Sequence, residues 1–388
     1  MRPRFRNKTL VEQARNHIPF INMNSKPLRI LSKIVCLLVV ASMFVVGCKK
    51  KAPDVSSNDP PTHANSTIVR GTPYELTIPH GLPDVKIPAN NPLTVEKVAL
   101  GKKLFFDKNL SLDRTISCAT CHDPQKGWSN GTPFAEGVNG AVGTRNTPSI
   151  INVAFNTTQF WDGRAKSLEK QALGPILNPI EMAMPSEDEL VARLKEDSSY
   201  VEQFNETFED GLTADNVAKA IASFERTILA GDLPYDRYQA GDKTAMSESA
   251  IRGMELFFNK RRANCGECHK EPHFTDMKFY NTGIGMDKEN PDLGRHLITK
   301  KAFIGAFKSP TLRQIVHTAP YMHDGSLATL EDVVEFYAKG GISNPNQATG
   351  VFRLRLNEQD KKDIVQFMVE GLSTPELPDS IAVAEATN

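Results

Sequence analysis

Apolar and polar positions repeat one pattern at two places in this chain. Residues 99–108, ALGKKLFFDK, and residues 251–260, IRGMELFFNK, both contain Gly-x-x-Leu-Phe-Phe-x-Lys. Their apolar residues fall at helical spacing: Val95, Val98, Leu104 and Phe105 form one stripe, and Ile251, Met254, Phe257 and Phe258 the other. Amphipathic stretches at 187–208, 214–229, 329–339 and 357–370 predict further helices. Few segments show the period of two that a half-buried strand needs. The pattern predicts a mainly α fold of two related tandem units with long loops.

Those units do not fill the chain's 388 residues. A basic flank at Lys33 leads into an apolar run over residues 34–46, which closes in Val-Val-Gly-Cys48 and three lysines. The run is short for a membrane span and suits a secretory signal, an uncleaved anchor helix being the competing reading. VVGC resembles the bacterial lipobox, whose cysteine becomes the lipidated first residue of the mature protein. Cys48 is therefore the expected lipidation site on an exported protein. Residues 1–22 make a long leader, so translation is compatible with a start at Met23. Residues 49–92 hold eight prolines and read as an extended tether, and residues 373–388 read as a frayed tail. The folded units are then 93–245 and 246–372.

Setting the leader aside changes the charge. The whole chain balances 46 basic against 46 acidic residues, and residues 1–48 hold eight of the former and one of the latter. The remainder carries 38 against 45, a net charge of minus seven. An acidic surface argues against nucleic acid and is compatible with a basic protein partner.

The six cysteines are more specific. Cys36 falls in the leader and Cys48 in the lipobox, and the other four form two identical spacings, Cys118-x-x-Cys121-His122 and Cys265-x-x-Cys268-His269. None is left for a structural disulfide. This pentapeptide is the attachment site of a c-type haem: both thiols bond to one porphyrin, and the adjacent histidine ligates the iron. A zinc site would need further Cys or His pairs, and a thioredoxin-like redox pair gives the histidine no role. The expectation is two covalent haems.

The face of each iron opposite its histidine decides the chemistry. Electron carriers fill that position with Met or His, whereas peroxide activation requires it open. No histidine lies between His122 and His269, which leaves Met182, Met184, Met246 and Met254 as caps for the first iron. The second unit offers His273, His296, His317, His323, Met277, Met286, Met322 and Tyr337, and spacing does not choose among them.

The segments RNTPSIINVAFN, FWDGRAKSLEKQALGPILNPIEM and APYMHDGSLATLEDVVEFYAKGG, with the two pentapeptides, resemble the bacterial di-haem cytochrome c peroxidases. They are similar also to the methylamine-utilisation di-haem enzyme, which completes a tryptophan-derived quinone in a partner protein. The resemblance spans roughly residues 74–372 and implies two cytochrome c-like haem domains. It makes the His122 haem the peroxide site, with Glu181 as acid–base residue and Gln171 and Pro175 in the pocket. It places Trp161 between the haems and gives Asn146, Thr318 and Pro320 to a calcium ion. Such a protein takes electrons from a small cytochrome c or cupredoxin and often forms homodimers.

Two departures matter. A histidine that caps the first haem in many such peroxidases falls here at Val138, which implies an open first haem without reductive priming. The second-haem methionine falls at Tyr337, a tyrosine in the methylamine-utilisation enzyme as well. Nearby Met322 is the alternative ligand.

The leading expectation is a periplasmic peroxidase tethered to the membrane through Cys48. The alternatives are a peroxide-dependent oxidase that modifies a partner protein and a non-enzymatic di-haem carrier or sensor.

Overall fold

The computed structural model describes residues 70–375 and 377, so the leader, the lipobox cysteine and the distal tail lie outside the described residues. Helices α1 (Val95–Phe106), α2 (Cys118–Cys121), α3 (Leu168–Leu177), α4 (Glu187–Leu194), α5 (Ser198–Thr207) and α6 (Ala214–Glu225) build a first lobe. Helices α7 (Pro234–Gln239), α8 (Glu248–Phe258), α9 (His296–Thr299), α10 (Leu330–Lys339) and α11 (Glu358–Gln366) build a second. Among the described residues the sheet is confined to one antiparallel pair, β1 (Phe279–Tyr280) and β2 (Phe307–Lys308). No described helix is long and apolar enough to cross a membrane. The fold class is therefore as expected, mainly α with long loops.

Each lobe is organised around one helix pair, and the repeated glycine explains why. A Cβ on Gly101 would collide with the carbonyl oxygen of Ala220 on α6, and one on Gly253 with the carbonyl of Asp363 on α11. Only glycine lets α1 and α8 approach their partners this closely. The Leu-Phe-Phe that follows fills the core: Leu104, Phe105 and Phe257 are buried. Phe105 packs edge-on against Phe224 at 5.3 Å, and Phe257 against Phe367 at 5.4 Å. Val95, expected on the buried stripe, is instead exposed at 47%. The buried face of α1 is centred on Leu100, Gly101 and Leu104, which turns Val95 outward.

The likeness of the lobes extends well beyond these leaders. Residues 146–177 and 308–339 superpose in sequence without a gap at a spacing of 162. The left-handed residues coincide: Asn152 with Gln314 (φ 60° and 61°), Phe160 with Met322 (66° and 73°), and Gly163 with Gly325 (66° and 61°). The hydrogen bonds coincide too. Ser149 Oγ donates to the Gly127 carbonyl, and Thr311 Oγ1 to that of His273. The Asn152 amide donates to Ile228, and the Gln314 amide to Leu372.

The two copies meet reciprocally. The amide of Asn146 donates to the carbonyl of His323 (2.7 Å), and the amide of Lys308, the equivalent residue, donates to Trp161 (2.8 Å), the equivalent of His323. Around this seam Arg145 pairs with both Asp162 and Asp292 at 2.7 Å, and Arg295 donates to the carbonyls of Asp162 and Gly163.

The tether expectation is corrected at its end. From Arg70 the proline-rich chain is docked on the first lobe: the Thr72 amide donates to the Glu96 carboxylate, Arg70 to the carbonyls of Asn205 and Phe208, and Asp232 N–H to His80. The expected tail also begins inside the fold, since Ser373 bonds Met368 and Thr374 bonds Gln314.

Candidate active site

A cavity of about 1020 Å³ runs through both lobes and is lined by both pentapeptides. His122 Nδ1 donates to the carbonyl of Trp128 (3.1 Å), and His269 Nδ1 to that of Phe274 (3.0 Å). Both acceptor residues are held in left-handed backbone, at φ 58° and 51°. With Nδ1 carrying the proton, Nε2 keeps its lone pair and is the nitrogen a metal takes. Burial holds the His122 imidazole neutral down to about pH 4 and shifts His269 in the same direction.

The thiols are also neutral. Burial pushes Cys121 up to about 11 and Cys265 to about 12, and raises Cys118 and Cys268 as well. A zinc thiolate or a reactive redox pair needs the opposite shift. Among the described residues no group of three or more Cys, His, Asp and Glu gathers as a metal site. Paired neutral thiols beside an oriented imidazole, opening into a largely apolar cavity, fit two covalently attached haems.

The same cavity brings Glu181, Gln171, Pro175, Trp161, Tyr337, Asn146, Thr318 and Pro320 together. Glu181 is clamped from both sides: Val138 donates to its carbonyl, while Met182 donates to Pro175 and accepts from Leu112. Its Oε2 is buried without a partner, and burial raises the carboxyl against the opposing pull of Arg164 and Asn178. That is a carboxyl poised to hold or release a proton. Trp161 donates its indole N–H to the carbonyl of Asn146 (2.8 Å), which fixes the ring at the seam. The side-chain nitrogen of Asn146 donates to the Thr132 carbonyl, which leaves Oδ1 as the remaining side-chain acceptor, the atom that could take a cation.

Of the ligands open for the second iron, the cavity is lined by Met322, His323 and Tyr337, and not by His273, His296, His317, Met277 or Met286. Tyr337 lies on α10, where burial above all raises its phenol, with Cys268 and Cys265 near enough to act in the same direction. The His323 ring is stacked on Phe307 at 3.5 Å. Of the methionines open for the first iron, Met182 reaches the cavity wall; Met184 is packed in the first core, and Met246 and Met254 in the second.

Two groups on the wall escaped the sequence reading. Glu225 is a second buried carboxyl, pushed up to about 8 by burial, with Oε2 unpartnered and its charge felt at Cys118. Lys308 is a buried lysine beside Trp161. The signal for Lys308 was the gapless repeat that pairs it with Asn146. Glu225 had only its place at the end of an amphipathic helix.

Fold and site together define a c-type oxidoreductase with two haem sites on one internal repeat. Residues 95–244 match the family described as di-haem cytochrome c peroxidase. The chain is 41% identical over 302 residues to methylamine utilization protein MauG of Methylorubrum extorquens, covering 75% of this chain and 84% of that one. It is 39% identical over 331 residues to cytochrome-c peroxidase IdrP1 of Denitromonas iodatirespirans, covering 76% and 86%. The crystal structure of a MauG-like protein associated with microbial copper homeostasis aligns with a TM-score of 0.72 at 31% identity, over 80% of this chain and 98% of that one. The chain belongs to the di-haem cytochrome c peroxidase family and is an oxidoreductase of that type.

Proposed function

We propose that this chain reduces hydrogen peroxide to water at the Cys118–His122 site, in the periplasm, tethered to a membrane through lipidated Cys48. Electrons come from a small cytochrome c or cupredoxin, enter at the Cys265–His269 site and pass Trp161. Each peroxide takes two electrons and two protons and gives two waters. The bound haems supply the iron redox chemistry; the chain supplies the ligands, the proton and the route. Glu181 accepts a proton as peroxide binds and returns it to the departing oxygen. Gln171 and Pro175 shape the space around it. Asn146, Thr318 and the Pro320 carbonyl hold a calcium ion whose shell water completes.

One observation carries this reading. Pro175 stands at the position on α3 that Tyr337 holds on α10. Tyr337 would offer a phenol oxygen to the iron of the second lobe, and a proline would offer none to that of the first. A second reading, peroxide-driven oxidation of a partner protein, is favoured by Tyr337 itself, since an anionic phenolate stabilises oxidised iron where methionine would stabilise reduced iron.

The test is stopped-flow mixing of the diferric holoprotein with stoichiometric peroxide and no reductant. A rapid change in the haem spectrum is expected. Inertness until one haem is reduced would overturn the open first site. Turnover with a reduced cytochrome or cupredoxin supports the peroxidase. Its failure, with oxidation of a partner protein, supports the second reading.

A further inference from the structure

The repeat assigns a counterpart to every residue in the seam, including those proposed to hold calcium. At the spacing of 162, Asn146, Thr318 and Pro320 correspond to Lys308, Asn156 and Thr158. A cation beside the first set therefore has a second, equivalent position beside the other. Beside that second set lies an ammonium of the chain itself. Lys308 Nζ donates to the carbonyl of Thr158 at 2.6 Å, and this carbonyl is the counterpart of the Pro320 carbonyl on the calcium side.

The surroundings of Lys308 match that role. The residue lies on β2 with its side chain almost wholly enclosed, and a buried ammonium needs oxygen partners. Thr158 supplies its carbonyl, and Asp162 supplies a negative charge that opposes the effect of burial. Burial lowers the amine to about 8, so it is still charged at neutral pH. Thr158 also carries a buried hydroxyl with no hydrogen-bond partner, and Asn156 lines the large cavity together with Lys308. A carbonyl, a free hydroxyl and an amide oxygen are the kind of set a hard divalent cation takes.

We propose that the Lys308 ammonium is a built-in cation that fills the pseudo-equivalent of the calcium position, so that the seam binds one divalent ion instead of two. The proposal rests on the calcium reading above. Its physical content is a swap of charge carriers. An ammonium donates where a metal ion would accept oxygen lone pairs, and the seam carries positive charge on both sides of its two-fold. Replacing Lys308 by asparagine, the residue its counterpart holds, removes the ammonium and adds an oxygen ligand.

Calcium stoichiometry decides it. Holoprotein stripped with chelator is titrated with calcium in a calorimeter, for the natural chain and for Lys308→Asn, with the haem spectrum confirming folding. One ion for the natural chain and two for the variant are expected. A variant that stays at one overturns the proposal while the calcium reading stands. A natural chain that binds none overturns the calcium reading first. Should Lys308→Asn fail to fold, crystals of the natural holoprotein soaked in terbium give the same decision. A single anomalous peak beside Asn146 supports the proposal, and a second peak at the Thr158 carbonyl overturns it.

Discussion

Pro175 and Tyr337 stand at one position on two equivalent helices, each eight residues after a capping hydroxyl, Ser167 or Thr329, that accepts from the first turn. One position thus presents a phenol in one lobe and a ring without a donor atom in the other.

Tyr337→Phe keeps the helix and removes the oxygen. The second iron is expected to turn from six- to five-coordinate, read as a new high-spin ferric signal in electron paramagnetic resonance, with the first iron unchanged. Tyr337→Met restores six-coordination and raises the midpoint potential of that haem. An unaltered spectrum in both variants would move the ligand to Met322 or His323.

Glu181 must lose its proton to act as a base, and burial raises its carboxyl above the ordinary 4.5. The peroxide-dependent rate is therefore expected to rise with pH through a limb above that value, the carboxylate form being the active one. Glu181→Gln should lower kcat/KM for peroxide by about 10²–10⁴ and abolish the limb. The KM for the electron donor should not move.

Glu225 is neutral below about pH 8 and becomes a carboxylate above it. A negative charge arriving near Cys118 favours ferric over ferrous iron. The midpoint potential of the first haem should therefore fall as pH rises through that range, by at most about 59 mV per pH unit for one proton per electron. Glu225→Gln flattens the dependence in a potentiometric titration. An equal slope in both proteins would assign the proton elsewhere.

Gly101→Ala and Gly253→Ala carry opposing expectations that denaturant titration separates. Alanine improves an exposed helical glycine by about 1 kcal/mol. Here its Cβ meets the backbone of the partner helix, and overpacking of this kind costs about 1–3 kcal/mol. Both variants should be less stable, each with the loss centred on its own lobe.

The sequence showed the helices and the pentapeptides because each carries a local signal. Gly-x-x-Leu-Phe-Phe encodes a close helix contact, and Cys-x-x-Cys-His encodes an attachment. The longer repeat stayed hidden because only five of its 32 positions are identical: the prolines 148 and 310, Asp162 and Asp324, Gly163 and Gly325, Leu168 and Leu330, Glu169 and Glu331. What persisted was backbone conformation, which side-chain identity reports poorly away from glycine. The proline-rich stretch misled for a related reason. A run of prolines disfavours regular structure, but it does not exclude docking, and the segment from Arg70 is held by charged side chains and single amides. Glu181, Trp161 and Tyr337 were legible through resemblance alone, since their convergence depends on chain segments distant in sequence.

The reciprocal amide bonds of Asn146 and Lys308 give the seam the form of a two-fold dimer interface written into a single chain. In a true homodimer, any substitution appears on both faces at once, so a tryptophan on one side forces a tryptophan on the other. Covalent fusion removes that constraint. Because the reciprocal bonds are made by main-chain groups, the side chains at equivalent positions are free to differ, and they do: tryptophan has histidine as its counterpart, asparagine has lysine, and proline has tyrosine. A symmetric scaffold carried in one chain can thus acquire a direction, which the proposed entry of electrons at one pole and their use at the other would exploit.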